Sequence, residues 1–240
     1  MNNRGNALFL ILIAVALFAA LSYAITQSGR GGGSIDRETT EIQAAELLNY
    51  VAAMRSTVQR MQITGTAEDA FRFSHGDWGH VSYGNISNTP ENQVFAAEGG
   101  SMTFMRPDPA WLDSSFSASG EYGAFTYTGL VDVIGVGTDA SPSSDSSVEL
   151  TMLMPYIRQD LCETINRNLG IAHDPVPDED DEFHIGTSGK RFGVGGDYYT
   201  GNHGWGSTIG DDNAALEGVD VGCARDPGSK YYFWAVLIAR

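Results

Sequence analysis

Five consecutive acidic residues, at positions 178–182, offer the carboxylate oxygens that hard cations such as calcium bind in flexible loops. Asp197, Asp211 and Asp212 lie further along the same stretch and could add oxygen ligands. The calcium candidates are Asp178, Asp180, Asp181 and Glu182. Their spacing is not that of an EF-hand, and adjacent acids cannot all point inward. A solvated acidic loop with no cofactor is therefore the alternative.

Two long irregular stretches, Phe71–Glu98 and Ile171–Asn213, also carry side chains suited to ligand binding. Their aromatic rings could stack on sugar faces while neighbouring Asp, Asn and His bond sugar hydroxyls. These aromatic residues are Trp78, Tyr83, Tyr198, Tyr199 and Trp205. The same residues could instead pin the two loops to a hydrophobic core, so glycan binding stays an alternative.

His75 or His80 could act as a general base, and Asp77 could supply the carboxylate that orients it. Hydrolases and nucleotide-binding enzymes carry further motifs, and the sequence contains no GxSxG, HExxH or P-loop pattern. The sequence therefore predicts that the protein is not an enzyme.

The two cysteines, Cys162 and Cys223, form no CxxC pair and have no Cys/His spacing typical of zinc sites. If this part of the chain lies in an oxidising compartment, a disulfide between them is expected. The bond would close a loop of about 60 residues, which the chain-entropy estimate values at roughly 4 kcal/mol. Two reduced, buried thiols are the alternative.

Negative charge dominates the composition, with a formal net charge of −16. The excess is concentrated between Asp108 and Glu182, where Arg158 and Arg167 are the only basic residues. A field of this sign repels nucleic acid and anionic lipid. We therefore expect no nucleic-acid partner.

A long amphipathic helix is predicted over Ile35–Met61, because apolar residues recur there every three or four positions. Its apolar face consists of Ala44, Leu47, Val51, Met54, Val58 and Met61. This pattern indicates a helix laid on a sheet. A second, shorter helix is predicted over Pro155–Leu169, with proline at its start and Gly170 as its C-terminal cap.

Strand patterns follow at Ser101–Met105, Gly123–Val136, Val148–Met154, Gly218–Arg225 and Lys230–Ala239. The last two are separated by residues 226–229, whose proline and glycine predict a tight turn. Both faces of the final segment are apolar, so we expect it to be central or covered on both sides. The predicted fold class is α+β. It has an N-terminal transmembrane helix that continues into an amphipathic helix laid on an antiparallel sheet, a second short helix and long Gly-rich loops.

The N-terminal region is predicted to lie in a membrane. Ala7–Ile25 carries no charge and is apolar apart from Ser22 and Tyr23. As a helix that rises about 1.5 Å per residue, it could nearly cross a hydrocarbon core of about 30 Å. A glycine-rich spacer at residues 29–34 separates it from the long amphipathic helix.

The short leader ends in Arg4 and Gly5, and the apolar segment and the amphipathic extension follow it. This order resembles the N-terminus of type IV prepilins and type II secretion pseudopilins. The resemblance implies cleavage after Gly5, so that Asn6 becomes the first mature residue. Prepilins usually carry glutamate where this chain has Leu10, which favours a minor subunit over a major one.

The implied organisation is a leader at 1–5, a transmembrane and assembly helix at 6–28, the spacer at 29–34 and an extracytoplasmic head at 35–240. The resemblance implies a single-pass protein of the bacterial inner membrane with its head in the periplasm. It would assemble with other pilin-like subunits and an inner-membrane machinery into a pilus or secretion pseudopilus.

Small residues in the apolar segment would form its packing surface, because helices in lipid associate through close packing. They are Ala14, Ala16, Ala19, Ala20 and Ala24. Cleavage after Ala24 at a small-x-small site, or no cleavage at all, are the other interpretations of the N-terminus. The alternative function is a membrane-tethered extracytoplasmic module that binds a ligand or glycan.

Overall fold

The structure is a computed structural model that describes residues 13–19, 22, 32–76, 83, 88–137, 148–179, 192, 207–226 and 228–240. The chain divides into two compact units, Met1–Ile42 and Gln43–Arg240. Among the described residues, no helix combines the length and the apolar character needed to span a bilayer.

Helix α1 spans Gly32–Ile63. It begins earlier than predicted and includes Gly32 and Gly33. The predicted apolar face is confirmed, because its six residues from Ala44 to Met61 are each exposed by 2% or less. Their recurrence at the helical period places them on one stripe, which packs into the core of the second unit.

A five-stranded sheet lies in the second unit. Its strands are β1 (Thr126–Val133), β2 (Glu149–Pro155), β3 (Ser207–Ile209), β4 (Val221–Asp226) and β5 (Lys230–Ile238). The strand order is β3-β1-β2-β5-β4. β1 and β3 run parallel, whereas the other neighbours are antiparallel. The α+β class is therefore confirmed, but the sheet is mixed rather than antiparallel.

Side chains of β5 alternate between two hydrophobic clusters, as expected for successive residues of a strand. Phe233 and Ala235 lie in the cluster that contains the buried stripe of α1. Trp234 and Val236 lie in a second cluster, with residues of β1 and β3. Since β5 also lies between β2 and β4, the prediction of a central strand with two buried faces is confirmed.

The predicted hairpin between β4 and β5 is also confirmed. Ser229 N–H donates to the Asp226 carbonyl at 2.9 Å, and Gly228 N–H donates to Asp226 Oδ1 at 2.6 Å. The aspartate thus fixes the turn through both its backbone and its side chain.

Helix α2, Gln159–Leu169, is the predicted second helix, although it begins four residues later than expected. Pro155 completes β2 instead, and Tyr156 adopts a positive φ of 61° before the helix. The helix ends as predicted at Gly170, whose φ of 76° allows its N–H to bond the Arg167 and Asn166 carbonyls.

The strand predicted over Ser101–Met105 is wrong. Ser101 has a positive φ of 52°, and Met102 N–H donates to the Val94 carbonyl at 3.1 Å. The segment therefore folds back on the residues just before it instead of joining the sheet. Four short 3-10 turns lie among the described residues of the long connection from α1 to β1, and Phe71 and Trp111 anchor it in the core.

Candidate functional site

The first unit contains the described part of the predicted assembly helix. Residues 13–19 are helical. Their large apolar side chains expose between 41% and 72% of their surface, and these residues are Ile13, Val15, Leu17 and Phe18. Exposed apolar area of this kind favours contact with lipid or with another protein.

The small residues predicted to pack in an assembly are partly described. Ala14, Ala16 and Ala19 lie on this helical segment and are exposed. Ala20 and Ala24 lie outside the described residues, as do the predicted processing residues Gly5 and Asn6.

The acidic run begins in a segment that contacts the edge of β4. Arg225 N–H donates to the Pro177 carbonyl, and Glu179 N–H donates to the Arg225 carbonyl, each at 2.9 Å. Successive side chains of extended backbone point in opposite directions, so Asp178 is exposed and Glu179 is buried. Arg225 Nη2 donates to Asp178 Oδ2 at 2.8 Å, and this pairing lowers the pKa of Asp178.

The Glu179 carboxylate connects this segment to the end of β3. Its Oε2 accepts from Gly210 N–H at 2.9 Å, and its Oε1 accepts from Asp212 N–H at 3.4 Å. The pKa of Glu179 is raised to about 7, mainly by burial and to a smaller extent by Asp211, against the opposing effect of the two N–H groups. Residues 177–179 therefore join two edge strands, one through the backbone and one through a side chain.

Carboxylate oxygens of Glu179, Asp211 and Asp212 lie within 4.8 Å of one another. Asp211 and Asp212 were expected as additional ligands, whereas Glu179 was not among the predicted calcium candidates. Asp178 is paired with Arg225, and the other candidates, Asp180, Asp181 and Glu182, lie outside the described residues. Calcium takes about six to eight oxygen ligands, and Glu179 already accepts from two backbone groups. These three carboxylates could contribute to a cation site but do not form one by themselves.

The described aromatic candidates have structural contacts. Tyr83 is 4% exposed, and its hydroxyl donates to the Tyr127 carbonyl at 3.1 Å. The bond attaches its loop to β1, and the buried ring has no free face on which a sugar could stack. His75 stacks on Phe104 with ring centroids 4.1 Å apart. The remaining glycan and catalytic candidates lie outside the described residues, and they are Asp77, Trp78, His80, Tyr198, Tyr199 and Trp205.

The two cysteines predicted to pair are brought together. Cys162 on α2 and Cys223 on β4 are fully buried free thiols. Burial raises the pKa of Cys162 well above its usual value, and the hydrogen bond between the two thiols adds to this effect. Asn166, one helical turn after Cys162, holds the backbone of Cys223 on both sides. Its Nδ2 donates to the Cys223 carbonyl and its Oδ1 accepts from Cys223 N–H, each at 2.9 Å.

Sequence reasoning missed Asn166 and also Glu149. Glu149 on β2 is fully buried, and its Oε2 accepts from Val133 N–H at 2.9 Å. The pKa of Glu149 is raised to about 8, mainly by burial and to a smaller extent by Asp132, whereas the Val133 N–H and Arg240 act in the opposite direction. The available signal for Glu149 was a lone charged residue in the strand pattern, which marks a buried group that must find a partner.

Arg55 is the third polar residue that the sequence analysis missed. Its side chain is 25% exposed and reaches from α1 to the sheet. Nε donates to the Val236 carbonyl at 2.6 Å, and Nη2 donates to the Asp220 carbonyl at 2.8 Å. Nη1 lies 2.9 Å from Asp220 Oδ2, so one guanidinium binds three oxygens.

No protein-family model, curated protein or solved structure matches the chain. Among the described residues, Arg55, Glu149, Asn166 and Glu179 each bond backbone groups of neighbouring elements.

Proposed function

We propose that the protein is a membrane-anchored, pilin-like structural subunit that assembles through its N-terminal helix into a pilus or secretion pseudopilus. The observation that supports this proposal is the exposure of the apolar side chains at residues 13–18. Removing apolar surface from water yields about 25 cal/mol per Å², so these side chains gain free energy when lipid or a partner helix covers them.

The N-terminal sequence supports the order of events. Arg4 and Gly5 precede the apolar segment, as they do at the processing site of the proteins that it resembles. A prepilin peptidase would cut after Gly5 and leave the apolar helix at the start of the mature chain. The helix then holds the subunit in the inner membrane, with the head in the periplasm, until it packs among equivalent helices of related subunits.

The second unit supports a structural role in this process. Its apolar residues fill two buried clusters. Its buried or half-buried polar side chains Arg55, Asn166 and Glu179 bond backbone groups of other elements. Such contacts stabilise the head, and a filament subunit needs a head that stays folded outside the membrane.

The test separates an assembly surface from a simple anchor. Ala14, Ala16, Ala19, Ala20 and Ala24 are replaced together by leucine. Leucine spans lipid at least as well as alanine, but it blocks close helix packing. We expect the variant to stay in the membrane fraction and to lose the crosslinked oligomers that the wild type forms with its cognate assembly system. The matched control replaces Ile11, Ile13 and Val15 by leucine, which exchanges large apolar residues only and should retain the oligomers.

Mass spectrometry of the same samples identifies the first residue of the mature chain. We expect the chain to begin at Asn6, and Gly5→Val should prevent this cleavage. A chain that begins at Ile25 would exclude the proposal, because the assembly helix would be lost. Unchanged crosslinking of the alanine-to-leucine variant, with an unchanged membrane fraction, would favour the membrane-tethered binding module instead.

A further inference from the structure

Helix α2 and strand β4 place the only two thiols of the chain side by side in the core. We propose that Cys162 and Cys223 form a disulfide when the protein folds in an oxidising compartment. The bond would join α2 to β4 and close the intervening residues into one loop. This inference is independent of how the subunit assembles.

The backbone on both sides of the thiol pair is held in place. Cys223 is paired with Phe233 in the β4–β5 ladder, which fixes it from the sheet side. Asn166 bonds both the N–H and the carbonyl of Cys223, which fixes it from the helix side. Cys162 lies one helical turn before Asn166, and its thiol bonds the Cys223 thiol. The two cysteines are therefore held beside each other by backbone bonds that do not involve the thiols.

Burial determines when the bond can form. The thiolate is the reactive form of cysteine, and burial raises the pKa of Cys162 and keeps dissolved oxidants away from both sulfurs. The folded, reduced protein should therefore oxidise slowly. We expect the bond to form while α2 is still undocked and both thiols are accessible.

An external disulfide of the glutathione class supplies the oxidation. One cysteine thiolate attacks it, forms a mixed disulfide and releases one small thiol. The second cysteine thiolate then attacks the protein sulfur of that mixed disulfide and displaces the other small thiol. In total the two cysteines lose two protons and two electrons as the S–S bond forms, and the external disulfide is reduced to two thiols.

The closed loop contains Glu179, the acidic run and β3. In the folded protein this segment is attached to the edges of the sheet by Pro177, Glu179 and the Asp178–Arg225 pair. A disulfide stabilises mainly by restricting the unfolded chain, and more so for a long loop. The bond would thus restrict the unfolded chain over the segment that carries these edge contacts and β3.

The experiment refolds the full chain from denaturant in detergent, either with a glutathione redox pair or with dithiothreitol. Each sample is then denatured without reductant and treated with N-ethylmaleimide before mass spectrometry. After oxidative refolding we expect no maleimide adduct and one crosslinked peptide pair containing Cys162 and Cys223. We also expect Tm to be roughly 10 °C higher than after reductive refolding.

The matched variants are Cys162→Ser, Cys223→Ser and the double replacement. None of the three should gain stability from oxidation, so each should have the same Tm after oxidative and after reductive refolding. Two maleimide adducts after oxidative refolding, or an oxidised wild type no more stable than the reduced one, would overturn the proposal. If the serine variants do not fold, the wild-type comparison with and without reductant still decides the question.

Discussion

The apolar stripe of helix α1 and the apolar residues that precede it lie in opposite environments. From Ala44 onward, the apolar stripe is buried in the core of the second unit. Before that point, Ile35 and Ile42 are 65% and 55% exposed. The preceding segment continues the contrast, since Phe18 is 72% exposed. Hydrophobicity alone therefore does not decide burial, because a side chain also needs a complementary surface, and the core of the second unit provides one for the stripe from Ala44 to Met61.

The largest expected effect contrasts Leu47→Ala with Ile42→Ala on this helix. Each substitution removes the same number of carbon atoms. Leu47 is fully buried, so its truncation leaves a cavity and should cost about 2–5 kcal/mol of unfolding free energy. Ile42 is 55% exposed, and its truncation should change the free energy by less than about 0.5 kcal/mol.

Urea unfolding of the full chain in detergent measures both values, with the fluorescence of the buried Trp111 and Trp234 as the signal. A loss at Ile42 as large as that at Leu47 would contradict the comparison. It would mean that another surface covers Ile42 in the solubilised protein.

The second prediction concerns the pH dependence of the buried carboxyl group of Glu149. Its pKa is about 8 in the folded protein, well above the ordinary value of 4.5, so the folded state keeps a proton that the unfolded state releases. The unfolding free energy should therefore fall as pH rises from about 4.5 to about 8. Glu149→Gln removes this contribution and should be more stable than the wild type at pH 9, by an amount on the order of 2 kcal/mol after allowance for solvent screening.

The matched control is Glu46→Gln, which removes one negative charge from an exposed position of α1. Thermal unfolding across this pH range measures wild type and both variants. The difference between Glu149→Gln and the wild type should grow with pH, whereas Glu46→Gln should follow the wild type. Parallel curves for all three proteins would show that Glu149 ionises in the folded state as it does in water.

Features that depend on nearby residues were predictable from the sequence. The buried stripe of α1 follows from apolar residues that recur every three or four positions. The burial of both faces of β5 follows from apolar residues at successive positions, which point to opposite faces of the strand. The turn at residues 226–229 follows from proline and glycine. In each case the determining pattern lies within a few positions of the structure that it specifies.

Features that depend on distant residues were not predictable. β3 joins β1 in parallel through residues 207–209 and 131–133, and three residues carry too short a pattern to reveal this pairing. The acidic run indicated a solvated loop or a cation site. Only the contact of residues 177–179 with Arg225 determines that Glu179 turns inward while Asp178 stays in water.

Two arginines provide the smallest expected effect and extend the comparison from apolar to charged side chains. Arg55 is 25% exposed and donates to two backbone carbonyls as well as to Asp220. The Arg225 side chain is 40% exposed and forms an ion pair with Asp178, which is also exposed.

Lysine keeps the charge at either position but cannot reproduce the planar set of donors. Arg55→Lys should therefore lower the unfolding free energy by about 1–2 kcal/mol, since the part-buried bond to the Val236 carbonyl is lost and the pair with Asp220 is weakened. Arg225→Lys should leave the urea midpoint unchanged, because exposed ion pairs contribute little. Raising the salt concentration separates direct bonding from surface charge, because salt screens exposed pairs most strongly. The Arg55→Lys deficit should persist at high salt. Equal deficits for the two variants, or a deficit at Arg55 that salt removes, would show that the α1 contact is a surface charge effect and not a buried connection between helix and sheet.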